Sequence, residues 1–180
     1  QFAIKANDKS LNKTIPFMAD SITFSKIAVY LSSPEINFYQ LVISENDKSL
    51  QLDFEEIGSN TFYLGVDSLT NSNGAMGGDL DPTKGMYWTW QSGYINVKIE
   101  GKYSGCNTRN NKFQFHLGGY QNPFQTIQKI EIENQNTKTL ILDIAPMIKQ
   151  AVDSNWCEIM SPGNEAVQLS NTLKSGFKTE

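Results

Sequence analysis

Apolar residues occupy alternate positions through the first three quarters of the chain, the spacing of strands that bury one face. Ile95, Val97 and Ile99 against Asn96, Lys98 and Glu100 form the clearest run. Leu50, Leu52 and Phe54 alternate with Gln51, Asp53 and Glu55, and Phe62, Leu64 and Val66 follow a Gly-Ser-Asn turn, as in two half-buried antiparallel strands. Ile130 and Ile132 lead into a polar turn from Asn134 to Thr137, from which Leu140, Leu142 and Ile144 return, the pattern of a hairpin. Near Ser25 the parity changes, with Ile22 and Phe24 on one phase and Ile27, Val29 and Leu31 on the other. A bulge within one long strand accounts for the shift.

Helical spacing begins only after Ile144. Met147, Ile148, Ala151 and Val152 follow Pro146 and predict a short helix over 146–153. Ser161 as N-cap with Pro162 behind it, then Ala166, Val167, Leu169 and Leu173 before Gly176, predict a second over 162–174. The expected fold is all-β: a two-sheet antiparallel β-sandwich of about eight or nine strands with two short C-terminal helices. It forms a single domain over 1–180. An Asn/Gly/Asp-rich stretch over 67–85 is longer than a connection needs, and such loops often carry function.

At 180 residues, 39% apolar and 11% aromatic, the chain can fold around one core without a disulfide framework or a structural metal. With 15 Lys and Arg against 19 Asp and Glu, a net charge of -4, it lacks the basic clusters that grip a phosphate backbone. Nucleic acid is therefore not an expected partner. No apolar stretch approaches the roughly 20 residues that cross a bilayer, so no transmembrane segment is expected. The start QFAIKANDKS carries no charged-then-apolar targeting segment and reads as processed. Cys106 and Cys157 either pair, as suits an oxidising compartment, or remain two free thiols, and the residues leave both open.

A single histidine, His116, narrows the chemistry. The nucleophile elbow, zincin helix, dinucleotide fingerprint and CxxC pair are all missing, which disfavours hydrolytic metalloenzymes and structural zinc. In FQFHLGGY, Phe113, Phe115 and Leu117 share one strand face while Gln114 and His116 share the other, so the imidazole points away from the apolar stripe. It is either a surface histidine satisfied by a backbone carbonyl or a metal ligand. In GMYWTWQSGY, Met86, Trp88 and Trp90 fall on one face. Aromatics this dense form core, stack on sugar rings, or stand as soft and oxidisable groups beside a metal. Asp67, Asp79 and Asp81, with Thr83, are turn formers or weak cation candidates, without the spacing of an EF-hand loop.

LGVDSLTN, GGDLDPTKGMYWTWQSGYINVKIEG, FQFHLGGY and IMSPGNEA together resemble the MbnP-like family of bacterial copper-associated proteins, and the upstream ITFSKIAVYLSSPEI resembles the family's early strand. The resemblance implies a periplasmic, secreted or cell-surface β-sandwich protein that is not an enzyme. It further implies copper, with a motif tryptophan oxidised to kynurenine by a partner di-haem peroxidase-like protein and histidines completing the copper site. Carried onto this chain, Trp88 is the residue modified and His116 the ligand, with Met86, Met160 and Cys157 as soft donors in place of a second histidine. The methanotroph member with a copper site has a histidine two places after the modified tryptophan, and Trp90 stands there in this chain. The competing expectation is a secreted carbohydrate- or surface-ligand-binding module using the aromatic strand, and the third a purely structural role with the indoles buried.

Overall fold

The computed structural model describes residues 2–6, 15–17, 20–43, 61–89, 91–132 and 140–179. Among them the strands are β1 (Phe2–Lys5), β2 (Ile15–Phe17), β3 (Asp20–Ser33), β4 (Phe38–Ile43), β5 (Thr61–Leu64), β6 (Tyr87–Thr89), β7 (Gly93–Tyr103), β8 (Lys112–Gly118), β9 (Gln128–Glu131), β10 (Leu140–Asp143), β11 (Glu158–Ile159) and β12 (Phe177–Thr179). The α-helices are α1 (Ser68–Ser72), α2 (Ala145–Asp153) and α3 (Asn164–Lys174).

The alternating residues of β3, β7 and β8 make these strands the centre of a nine-stranded sheet, whose main path runs β11-β8-β7-β3-β5-β9 with β2, β4 and β6 attached along it. A second sheet of three strands has the order β1-β10-β12. Ile27, Val29 and Leu31 of β3, Val97 and Ile99 of β7, and Phe113, Phe115 and Leu117 of β8 fill one face of the large sheet. Ile4, Leu140 and Leu142 of the small sheet and Met147, Ile148, Ala166 and Leu169 of the helices close the same core. Deep burial of such side chains is the main stabilising term, each contributing about 1.5–3 kcal/mol. The bulge near Ser25 is present: the β3–β7 register shifts between Phe24 and Lys26, where Gly101 and Glu100 are the successive partners.

Four expectations are corrected. The sheets are mixed rather than antiparallel, because β1 runs parallel to β10 and β11 parallel to β8. The helices number three among the described residues, so the fold is mostly β rather than all-β. The hairpin expected between Ile130 and Leu140 does not form: β9 pairs with β5 in the large sheet while β10 pairs with β1 and β12 in the small one. Alternation states which face a residue presents but not which strand it joins, and the intervening turn at 134–137 lies outside the described residues, as does the run from Leu50 to Phe54. The last helix starts from Gly163 with no side-chain cap, so Ser161 is not its N-cap.

The other face of the large sheet is also covered, which half-buried alternation does not foretell. Residues 93–99 of β7 are buried at every position. The cover is the stretch from Val66 to Trp88, fastened by carboxamides: Asn96 Oδ1 accepts from Val66 N at 2.9 Å, while Asn71 donates to Val66 O at 3.0 Å and accepts from Tyr94 N at 2.7 Å. Leu80 and Met86 pack there with Ala28, Tyr30, Val66, Tyr94 and Ile95 as a second apolar cluster. The long loop is thus a roof, ordered by α1 and by two short helical turns at Gly78–Leu80 and Pro82–Lys84.

Candidate functional site

His116 sits on β8 opposite Lys98 of β7, on the roofed face of the sheet, with the next outward row formed by Glu100 and Gln114. Its ring is buried, only 5% exposed. The Nε2 atom lies 2.7 Å from Glu100 Oε1. Since Glu100 is an acceptor, the neutral ring donates from Nε2–H and keeps its lone pair on Nδ1. A surface position with a backbone carbonyl partner is therefore corrected: the partner is a carboxylate, and the site is roofed. Burial holds the imidazole below its ordinary pKa, the bond to Glu100 opposes this, and the positive charge of Lys98 adds to the lowering. Lys98 is itself lowered, first by burial and then by Lys26, and its ammonium donates to Gly85 O at 2.6 Å.

Trp88 reaches the same face from β6, which pairs with the start of β7. Its six-membered ring lies against Gly118, two residues beyond His116; a Cβ at Gly118 would fall 2.7 Å from Trp88 Cζ3 and 2.6 Å from Tyr94 O. The indole is half-buried. Met86 is completely buried in the second cluster, and the Tyr87 ring packs edge-on against Tyr94 at 4.8 Å. The aromatic motif thus commits most of its described side chains to packing, with Trp88 left at the rim. Trp90 lies outside the described residues.

Met160 is brought to His116 by a pairing that no local pattern announces. β11 runs parallel to β8 with Ile159 opposite Phe115. Two residues further along, a Cβ at Gly119 would lie 3.1 Å from Pro162 Cβ. Between these two anchors Met160, one residue past β11, passes alongside β8 near the position of His116. Met160 is 46% exposed. Cys157, three residues earlier, is joined to Cys106 with a Cα–Cα distance of 5.8 Å, so it offers no thiolate. The soft donor this segment carries is the Met160 thioether.

The three aspartates serve the roof. Asp67 caps α1, accepting from Thr70 N at 3.0 Å and from Tyr39 OH at 2.6 Å. Asp79 accepts from Leu41 N at 3.0 Å and pairs with Lys84. Asp81 accepts from Thr83 N and Oγ1 at 2.8 and 2.7 Å. Among the described residues no group of three or more His, Cys, Asp or Glu side chains is placed to hold a metal. Glu100 is the site residue that sequence reasoning missed. Its parity, shared with Lys98, put it on the histidine's face, but only the β7–β8 register makes the two meet.

Compared with known proteins, the chain matches the family model described as MbnP over residues 1–161. The chain belongs to the MbnP family. No curated protein and no solved structure matches it. The part that carries the MbnP match includes Trp88, Glu100, His116, both cysteines and Met160, while α3 and β12 follow it. In this MbnP-family chain no helix among the described residues is long and apolar enough to cross a membrane.

Proposed function

We propose that this MbnP-family chain is an exported, non-enzymatic copper-handling protein, and that Trp88 is the residue a partner di-haem peroxidase-like protein oxidises to kynurenine. We read the two sheets as the layers of a β-sandwich whose roofed outer face carries the site. One observation carries the reading: a buried imidazole, oriented through Nε2 by the Glu100 carboxylate, shares β8 with Gly118, against which the Trp88 indole rests, and β11, which leads into Met160, pairs with that same strand. A carboxylate behind a histidine fixes the tautomer and raises the basicity of the other ring nitrogen, as in second-shell partners of metal ligands.

The donor set fits copper(I) of low coordination number. His116 Nδ1 and Met160 Sδ would hold it, and both are donors this soft ion favours. Bound copper(I) supplies a one-electron redox centre. The protein's own contribution is to keep His116 neutral through burial, to aim its ring through Glu100, and to hold Trp88 close by through the close approach at Gly118. The Lys98 ammonium donates to Gly85 O, and its charge helps keep the imidazole neutral. The disulfide accords with export to an oxidising compartment, periplasmic, secreted or at the cell surface.

The test is a copper(I) competition titration of the unmodified protein and of His116→Ala, with intact mass measured after production beside a di-haem peroxidase-like partner. Binding lost in the variant, and a mass change of one oxygen gained and one carbon lost that vanishes in Trp88→Phe, are the expected results. No binding by the unmodified or oxidised protein would sink the copper reading, and an unchanged mass beside an active partner would sink the modification.

A further inference from the structure

We propose that the Cys106–Cys157 disulfide is the positioning element of the site, a latch that fastens the Met160 segment alongside β8, the strand of His116, and loosens it when reduced. The inference rests on the copper reading for its consequence, but its structural core stands apart from copper. β11 is two residues long and lies at the end of the sheet path, paired with β8 alone. So short an edge strand belongs to the least stable part of a fold. Gln114 N donates to Cys157 O at 2.8 Å, Trp156 N donates to Ala151 O at 2.8 Å, and Ile159 is buried in the main core. The covalent tie comes immediately before the strand, at Cys157, and its other end is Cys106, whose amide donates to Tyr103 O at the end of β7. β7 is the strand that carries Lys98 and Glu100. The disulfide therefore connects the strand presenting the histidine's carboxylate to the segment presenting the thioether.

A dithiol reductant would release the latch by thiol–disulfide exchange. It gives up two electrons and two protons and becomes a disulfide, while Cys106 and Cys157 become two thiols. Residues 157–160 then keep their short pairing, the Ile159 side chain and the flanking contacts at Trp156 and Pro162, but lose the covalent tie, and Met160 becomes more mobile.

Three measurements on the full chain test this: amide hydrogen exchange over 157–160, peroxide oxidation of Met160 followed by peptide mass, and copper(I) affinity by chelator competition. Exchange and oxidation are compared on the oxidised protein, on the protein reduced with dithiothreitol, and on the Cys106→Ser/Cys157→Ser variant, and copper(I) affinity on the oxidised protein and the serine variant, which adds no thiolate. Opening the disulfide is expected to speed exchange and Met160 oxidation several-fold, and the serine pair to weaken copper(I) about tenfold, the usual size of a lost positioning partner. Met160→Leu should weaken copper by the same factor, with no further loss when combined with the serine pair. Unchanged exchange and Met160 oxidation on opening would overturn the latch whatever copper does. If the oxidised protein binds no copper, the copper reading fails while exchange and oxidation still decide the latch. Should the serine variant fail to fold, the reduced protein supplies the comparison, and its folding is checked by circular dichroism.

Discussion

The two faces of the β3–β7–β8 layer share one backbone and nearly one degree of burial, yet only the outer one sets charged groups beside its apolar cluster. The inner face holds Ile27, Val29, Val97, Ile99, Phe113, Phe115 and Leu117. The outer face holds Lys98 at 9% exposure and His116 at 5%, with Glu100 beside them under a roof of loop. A buried polar group costs about 1–3 kcal/mol when left without a partner, so each must be met. Lys98 finds Gly85 O, His116 finds Glu100, and Asn96 finds Val66 N and Thr126 Oγ1. The inner face is a store of stability. The outer face maintains costly groups in fixed orientations, which is what a binding site requires.

The sharpest break of this contrast is on the inner side. Phe115→Ala removes a ring stacked on Phe113 at 5.2 Å and should cost about 3–5 kcal/mol in urea denaturation, with Glu100→Gln costing far less. Loss of the disulfide comes next. It closes a loop with a sequence separation of 51, and the serine pair should unfold about 2–4 kcal/mol more easily. Gly118→Ala should cost about 1–3 kcal/mol, because its methyl group meets both the Tyr94 carbonyl and the Trp88 ring; a shift in tryptophan fluorescence would report the displaced indole. Unchanged stability and emission would mean that Trp88 does not rest there.

The smallest effect is also the cleanest to read, because the chain has one histidine. Its folded-state pKa lies below the unfolded value of about 6.5, so the unfolded chain binds more protons as the solution is acidified. Stability is complete above that value and is lost as pH falls from there through the folded pKa. Glu100→Gln removes the group that raises the pKa and should move the NMR titration of His116 further down, while Lys98→Met should move it up. A midpoint indifferent to both substitutions would separate His116 from the charges assigned to it.

The two-residue period of residues 97–100 showed which side chains face inward, but Ile95, beyond a β7–β8 register shift, packs with the roof cluster rather than with Val97 and Ile99; the phase change at Ser25 located the other bulge. That period carries no information about partners. It could not reveal that β9 and β10 belong to different sheets, or that β11 runs parallel to β8. The site suffered the same loss. His116 was legible as outward-facing, but its burial depends on a roof from elsewhere in the chain, its bond to Glu100 on the β7–β8 register, and the approach of the Met160 segment on a two-residue strand some forty positions away. The disulfide that ties this strand down was one of two readings the cysteines allowed.

Drawn as a covalent graph, the Cys106–Cys157 bond makes residues 106–157 a closed ring with two tails. His116 lies in the ring, Trp88 and Glu100 on the tail that enters it, and Met160 on the tail that leaves. The site is therefore assembled from three separate pieces of the graph and exists only when both tails have returned to the ring. A signal from His116 in its native surroundings certifies the docking of the whole molecule.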